Sequence, residues 1–365
     1  MNKYKIAVIG CGFCANGAGT YQKHMPALIE MQDEVEMVAF CDIVEERAIE
    51  AVKQYGSNNA RVYTDYREVL KDVAIDIVHV CTPNKSHAEI TVAALEAGKH
   101  VMCEKPMAKT YADALKMLAA AKRAGKKLSI GYQNRFRPES MYLSQICRRG
   151  DLGEIYYAHA EALRRRAVPT WGVFLNEDEQ GGGALIDIGT HALDLTLWMM
   201  DNWQPASVTG SVYKKFAGQK QTANFFGDWD EKQFTVEDSV FGFIKMKNGA
   251  TVFLEAAWAI NMLDCVEGKT TLCGTKAGAD MVDGVRINKA DLGKLVTIKP
   301  AVLPGVAGVF DAPDSPAAGL AEARAWIDSI RSNRDPLVLP EQAMVITRIL
   351  EGIYQSARTG RTIEF

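Results

Sequence analysis

The sequence predicts an α/β protein, a doubly wound parallel sheet at the N-terminal side followed by an α+β domain on a mostly antiparallel sheet. Three observations carry this. Residues 5–16, KIAVIGCGFCAN, are a short apolar strand running straight into a glycine turn. Up to about residue 133, nearly continuous apolar strands alternate with helical stretches, the rhythm of a parallel sheet covered on both faces. From about residue 135, longer strands with hairpin signals replace that rhythm.

The first strand leads. Gly10 allows the tight turn, Gly12 lets backbone approach a pyrophosphate, and Ala15 stands where a third small residue lets a helix pack on the strand. Phe13 and Cys14 belong to the same turn, and a helix starting there would offer unpaired N–H groups and a positive dipole end. A second apolar strand, VEMVAFCD at 35–42, ends in Asp42, where an acidic residue bonds the ribose hydroxyls of a dinucleotide. A carboxylate repels a 2′-phosphate and no arginine follows immediately to receive one, so NAD is expected rather than NADP. Asp42 lies 30 residues beyond Gly12, against roughly 20 in the usual spacing. The surplus falls in GAGTYQK at 17–23, read as an elongated loop or helix start beside the pyrophosphate. Alone, Asp42 is equally a strand-end turn carboxylate; the glycine turn upstream favours a Rossmann domain that binds nucleotide.

The alternation continues with strand IDIVHVCTP at 75–83 and a helix from Ser86 to Ala97, closed by Gly98. Strand HVMCEKP at 100–106 follows, then a helix that starts at Thr110 and Asp113, runs through Ala124 and stops at Gly125. Strand KLSIGYQ at 127–133 completes the series. Such sheets bind ligands beyond the carboxyl ends of their strands. Asp42, Thr82, Pro83, Asn84, Glu104, Lys105 and Gln133 close those strands and are the candidates.

In the second half, 155–163, 206–216 and a hairpin across 236–260 about Asn248-Gly249 read as strands, with shorter ones near 269–273 and 294–299. Helices are expected at about 317–332 and from Pro340 to Ala357, with a loop or linker rich in Gly, Pro and Ala at 302–316. The segment GGGALIDIGTHALDLTLWMM at 181–200 carries acid–base chemistry. Asp187 and His191 are four apart and share a helical face, with Asp194 farther along. A carboxylate beside an imidazole raises its pKa and fixes its orientation, and histidine suits proton transfer near neutral pH. Alone, this pair is as readily a core histidine with a bonded aspartate, and Lys105 as readily a solvated lysine. The expectation that both border a cleft between the domains joins them.

Length, charge and cysteine use narrow the class. At 365 residues the chain has room for two domains and a sizeable core. A net charge of −3 with both signs interspersed argues against a nucleic-acid partner. No apolar run reaches the roughly 18 residues of a membrane helix. The first strand starts within five residues of Met1, which leaves no room for a signal peptide, so a cytoplasmic protein is expected. The eight cysteines are scattered, as in a reducing compartment. Cys11 and Cys14 form C-x-x-C, but with no second pair or histidine cluster no metal or redox site is expected.

IGCGFCAN, the strand-end pair at 41–42, the stretch from Cys81 to His87, CEKP at 103–106 and GGGALIDIGTHALD at 181–194 resemble the Gfo/Idh/MocA family of oxidoreductases, over essentially the whole chain. The resemblance implies an NAD-binding Rossmann domain at 1–132. It implies a domain with a large open sheet at 133–365 for substrate and for assembly as a homodimer or homotetramer, with the C-terminal helix able to pack back on the first domain. Lys105 would bond the reacting hydroxyl and help position nicotinamide, His191 would be the general acid/base, and Asp187 its partner and a substrate ligand. Pro106 would fix the turn. Asn84, His87 and Glu104 would line the cofactor cleft, with Gly10, Gly12, Phe13, Cys14, Asp42, Cys81, Thr82, Pro83, Lys105 and Gln133 also on the cofactor. The lengthened segment before HMPAL at 24–28 departs from the family pattern.

The substrate is expected to be a carbohydrate or polyol. Arg135, Arg137, Arg164–Arg166, His159 and Trp171 are candidates to choose it: Trp171 to stack on a sugar face, an arginine to bond hydroxyls or a carboxylate. The bland alternative for any one arginine is a solvated strand end or subunit contact. Three functions are then open. The first is an NAD-dependent dehydrogenase of a sugar, sugar derivative or cyclitol. The second is a glycosidase in which held NAD oxidises a ring carbon transiently, glycoside is eliminated and hydride returns. The third is a non-enzymatic dinucleotide-binding regulator. Relatives of the glycosidase kind tend to lack the E-K-P lysine, and a regulator has no need of Lys105, Asp187 and His191 together, so the first leads.

Overall fold

A computed structural model of the chain describes residues 3–18, 21–220, 223–300 and 318–365. The chain folds as two compact units, Met1–Phe136 with Pro316–Met344, and Arg137–Ser315 with Val345–Phe365. The loop expected at 302–316 lies outside the described residues.

In the first unit, strands β1 (Tyr4–Ile9), β2 (Val35–Cys41), β3 (Arg61–Tyr63), β4 (Ile77–Val80), β5 (His100–Cys103) and β6 (Leu128–Ile130) form one sheet. Its order is β3-β2-β1-β4-β5-β6 and every neighbouring pair is parallel. This order reverses direction between β1 and β4, the switch point where such sheets bind dinucleotides. All four residues of β4 are buried, as are those of β1 from Ile6 onward, because helices cover both faces. These helices are α1 (His24–Ile29), α2 (Glu45–Tyr55), α3 (Asn84–Glu96) and α4 (Tyr111–Ala124). Helix α4 starts where the Thr110 side chain accepts the Asp113 N–H and stops at Gly125 in the left-handed conformation.

The segment after the glycine turn, expected as an elongated loop or helix start, does not run on as a helix. One turn, Phe13–Asn16, is followed by a hairpin pairing Gly17–Ala18 with Tyr21–Gln22, and only then does α1 begin. The surplus between Gly12 and Asp42 is therefore a hairpin that divides the helix.

In the second unit, α5 (Pro138–Arg148) precedes β7 (Ile155–Leu163), and a π-helical turn at Leu185–Gly189 runs into α6 (Thr190–Met200). Strands β8 (Pro205–Tyr213), β9 (Ser239–Met246), β10 (Thr251–Ala257), β11 (Glu267–Gly274), β12 (Ala277–Asp280), β13 (Arg286–Asp291) and β14 (Lys294–Ile298) follow. With β15 (Ile363–Glu364) they make a nine-stranded sheet ordered β14-β13-β12-β11-β7-β10-β9-β8-β15, antiparallel except where β7 meets β10. Along β7, Ala158, Ala160 and Ala162 are buried while Tyr157, His159 and Glu161 are half-buried on the opposite face. Helix α6 packs on β7 and β11.

Helix α7 (Ala318–Arg331) belongs with the first unit, where Trp326 and Ile327 join the same core as Met25 and Leu28. Helix α8 (Pro340–Thr359) is divided between the units after Met344. Among the described residues no helix is long and apolar enough to cross a membrane.

Candidate active site

At the switch point Gly10 turns with φ +89°, and a Cβ there would lie 2.6 Å from the Cys81 carbonyl carbon and 2.8 Å from the Thr82 nitrogen. Glycine is required twice over, by conformation and by contact. Around Gly12 the space a Cβ would occupy is open, with nothing within 4 Å. The Thr82 hydroxyl nearby is buried with no protein partner. Asp42, buried at the end of β2, accepts the Cys11 N–H through Oδ2 and the Val44 N–H through Oδ1, both at 2.9 Å. The acid that the sequence assigns to a ribose ties the strand end to the glycine turn. This cradle, the open approach at Gly12, the buried hydroxyl and the acid fit a dinucleotide. Burial pushes the Cys11 and Cys41 thiols up to about 12, so neither is a reactive thiolate.

The exposed Arg47, five residues on rather than immediately after the acid, stands 3.7 Å from Asp42 Oδ1. Asp42→Ala should weaken NAD binding about tenfold through lost hydrogen bonds. It should also narrow the preference over NADP, because Arg47 becomes available to a 2′-phosphate. Dissociation constants for both nucleotides test this; an unchanged ratio would remove Asp42 from the ribose.

At the end of β4, Pro83 and Asn84 open α3, and Cys81 is buried against the glycine turn. His87 is fully buried, with Nδ1 2.8 Å from the Pro106 carbonyl and Nε2 2.9 Å from the Thr82 carbonyl. It therefore holds the loops of the cofactor edge together instead of lining an open cleft. Glu104 points inward too. Its Oε1 accepts from Lys23 Nζ at 2.8 Å and His24 Nε2 at 3.0 Å, and its Oε2 accepts the Lys105 N–H at 3.1 Å. Lys105 itself is half-buried, and Gln133 is buried beside Lys23, His24 and His79 at a small internal cavity.

In the second unit Gly181 ends a short helix with φ +80°, and the two glycines after it serve close packing. A Cβ at Gly182 would fall 2.0 Å from the Tyr354 hydroxyl, and one at Gly183 would fall 2.1 Å from the Glu237 carbonyl oxygen. The buried Glu237 carboxylate accepts the Gly183 N–H at 2.8 Å, the Leu185 N–H at 3.0 Å and the Tyr354 O–H at 2.9 Å. It caps the start of the π-helical turn, in the role of a capping acid. The four-residue interval from Asp187 to His191 consequently spans a π-to-α junction, not one regular α-helical turn. π-Helical turns inside helices recur at functional sites. Asp187 Oδ2 accepts the indole N–H of the buried Trp258 at 2.9 Å, which fixes the carboxylate, and His191 stands half-buried in the first turn of α6. Asp194 is fully buried in the same helix.

The remaining candidates scatter. Arg135 is fully buried in the first unit, donating to the Leu337 carbonyl at 3.1 Å and to Gln342 Oε1 at 2.7 Å, and is a packing residue. Arg137 begins the second unit as the N-cap of α5. Arg164 makes a forked pair with Glu267 on β11 at 2.6 and 2.5 Å. Arg166 donates to the Ile260 carbonyl at 2.9 Å. Trp171 packs edge-on against Phe174 and Phe226, with centroids 5.7 and 4.6 Å away. His159 lies on the sheet face opposite α6, Nε2 3.0 Å from Glu255 and Nδ1 3.6 Å from Glu161. Sequence reasoning missed Glu237, Trp258 and Tyr354, none of which carries a local motif.

Residues 4–132 match the model of an oxidoreductase family with an NAD-binding Rossmann fold, and residues 141–280 match the Gfo/Idh/MocA C-terminal domain. The D-glucoside 3-dehydrogenase of Escherichia coli is 36% identical over 360 residues, 99% of this chain and 97% of that one. The chain belongs to the Gfo/Idh/MocA family. As a member it is an NAD-dependent oxidoreductase acting on a CH–OH group. Two further comparisons place this Gfo/Idh/MocA protein. The inositol 2-dehydrogenase of Salmonella typhimurium is 29% identical over 198 residues, 54% of each chain. The crystal structure of the aldose-aldose oxidoreductase from Caulobacter crescentus, complexed with glycerol, superimposes over 100% of both chains with a TM-score of 0.79 and 26% identity.

Proposed function

We propose that this protein oxidises a secondary ring hydroxyl of a sugar or glycoside, the 3-hydroxyl of a glucoside being the first to test. NAD, when bound, supplies the hydride acceptor. His191 takes the hydroxyl proton as general base, and Asp187, held by Trp258, orients the imidazole and bonds a neighbouring hydroxyl. The Lys105 ammonium bonds the reacting oxygen and stabilises the charge that develops on it. Contacts to the remaining hydroxyls come from the second unit and hold one carbon in place.

The observation that carries this reading is the joint presence of Lys105, Asp187 and His191 in a chain that matches D-glucoside 3-dehydrogenase over 99% of its length. Its test is NADH absorbance with purified protein, NAD and a panel of glucosides, free aldoses, inositols, and aldonic and uronic acids. A rise confined to one stereochemical subset is expected, with epimers identifying the carbon. A flat trace with glycoside cleavage would instead indicate hydride return. A flat trace without cleavage would refute the assignment to these sugars, glucosides and cyclitols.

The same reading includes a homo-oligomer formed through the sheet face opposite α6. Tyr213, Phe243 and Phe253 are exposed there, and Phe243 and Phe253 meet edge to face with centroids 5.1 Å apart. Phe243→Arg should lower the mass measured by light scattering; a monomeric wild type would end that part of the proposal.

A further inference from the structure

The first unit buries a charge cluster that the reaction, as described, does not use. The Glu104 carboxylate is 3% exposed, and Lys23 and His24 are 8% and 6% exposed. An ionised carboxylate withdrawn from water costs several kcal/mol unless a cation and further donors meet it. Burial works to raise the Glu104 carboxyl, but the Lys23 ammonium and the His24 hydrogen bond outweigh it and hold it well below the usual range.

An ionised carboxylate only accepts, so His24 Nε2 carries a proton and donates to Oε1. The other ring nitrogen, Nδ1, lies 3.0 Å from Nδ1 of the buried His79, which stands on β4 and backs the ring edge-on. Two donors thus fix Oε1, and the planar carboxylate leaves Oε2 one place to be. There it takes the Lys105 N–H at 3.1 Å.

Local structure does not explain Lys23. It occupies the N-cap of α1 without a side-chain capping bond, where a cation opposes the helix dipole. What explains it is the interior partner 81 residues away, which it reaches at the end of the hairpin inserted after the glycine turn.

We infer that Lys23 and His24 are positioning residues for the reaction: the inserted hairpin delivers them to Glu104, and Glu104 sets the backbone from which the Lys105 ammonium meets the hydroxyl. The inference rests on the reading of Lys105 as the group that bonds that hydroxyl, and it gives the lengthened segment a task.

The test uses the full-length protein as Lys23→Met, Lys23→Arg, the pair Lys23→Met/Glu104→Leu, and Lys105→Met as reference. Turnover, KM, NADH dissociation constant and thermal unfolding are measured on each. Displacing a reacting group by about 1 Å can cost about 100-fold, so Lys23→Met should lose about 10- to 100-fold in kcat with a smaller change in KM. Its NADH affinity should stay near wild type, and Lys23→Arg should recover part of the turnover. The paired variant replaces two buried charges by apolar side chains, so it should melt near wild type yet stay slow. That split marks positioning. Turnover returning together with stability in the paired variant would make the cluster structural only and overturn the inference. So would full turnover in Lys23→Met beside an impaired Lys105→Met. Full turnover in Lys105→Met would overturn the underlying reading of that lysine instead.

Discussion

Replacing His191 by alanine should lower turnover by about 10²- to 10⁴-fold, the usual contribution of a positioned general base. NAD affinity should hardly move. Gly10, the opening at Gly12 and Asp42, proposed to frame the nucleotide, belong to the first unit, whereas His191 stands in the first turn of α6 in the second. The loss should fall mainly on kcat if, as proposed, the imidazole takes the proton only as hydride leaves. The limb of the pH–rate profile that reports the base should vanish with the ring. Stability should change little, since His191 is half-buried at the beginning of a helix whose apolar residues remain. Near-wild-type turnover of the variant across the pH range would show that another group removes the proton.

What the sequence made legible was local. Gly10 and Asp42 could be read because a turn after an apolar strand admits few residues, and the structure shows why Gly10 admits none but glycine. The parallel sheet could be read because strands buried on both faces leave unbroken apolar runs. Asp187 and His191 stood out by spacing, although the π-helical turn that holds Asp187 was not visible; the Gly183 N–H at its start is met by Glu237, 54 residues away. Glu104 and His87 were placed on the cofactor edge by motif; their side chains turn inward, to partners that only the fold brings near. Arg135 sits in a polar stretch, yet is fully buried because the chain returns at Leu337 to receive it. Strands β12 and β13 went unread because AGAD has little strand propensity and RINKAD exposes four of its six residues. For Asp187, Glu104, His87 and Arg135 the missing information was a partner distant in sequence.

Glu237→Ala should be among the most destabilising single changes in the second unit. The Gly183 and Leu185 N–H groups and the Tyr354 hydroxyl would all lose the same buried acceptor. A bond to a charged group contributes about 1.5–3 kcal/mol, and removing a desolvated carboxyl offsets part of the sum, so a net loss of about 3 kcal/mol is expected. For a unit of this size that lowers melting by about 6–12 °C. Turnover should fall with it, because the turn that carries Asp187 and leads to His191 begins at those two N–H groups. Glu237→Gln isolates the charge. Burial raises the Glu237 carboxyl above its ordinary 4.5, against the pull of its N–H donors. A raised folded value means that the native state binds the proton more tightly than the unfolded chain. The contribution is therefore fully present below the ordinary value and is lost as pH rises through the raised one. Over that window the wild type should lose stability relative to Glu237→Gln, which has no proton to release there. A stability difference between the two that stays constant across the window would mean that Glu237 titrates in the fold as it does in water, and that burial does not govern it.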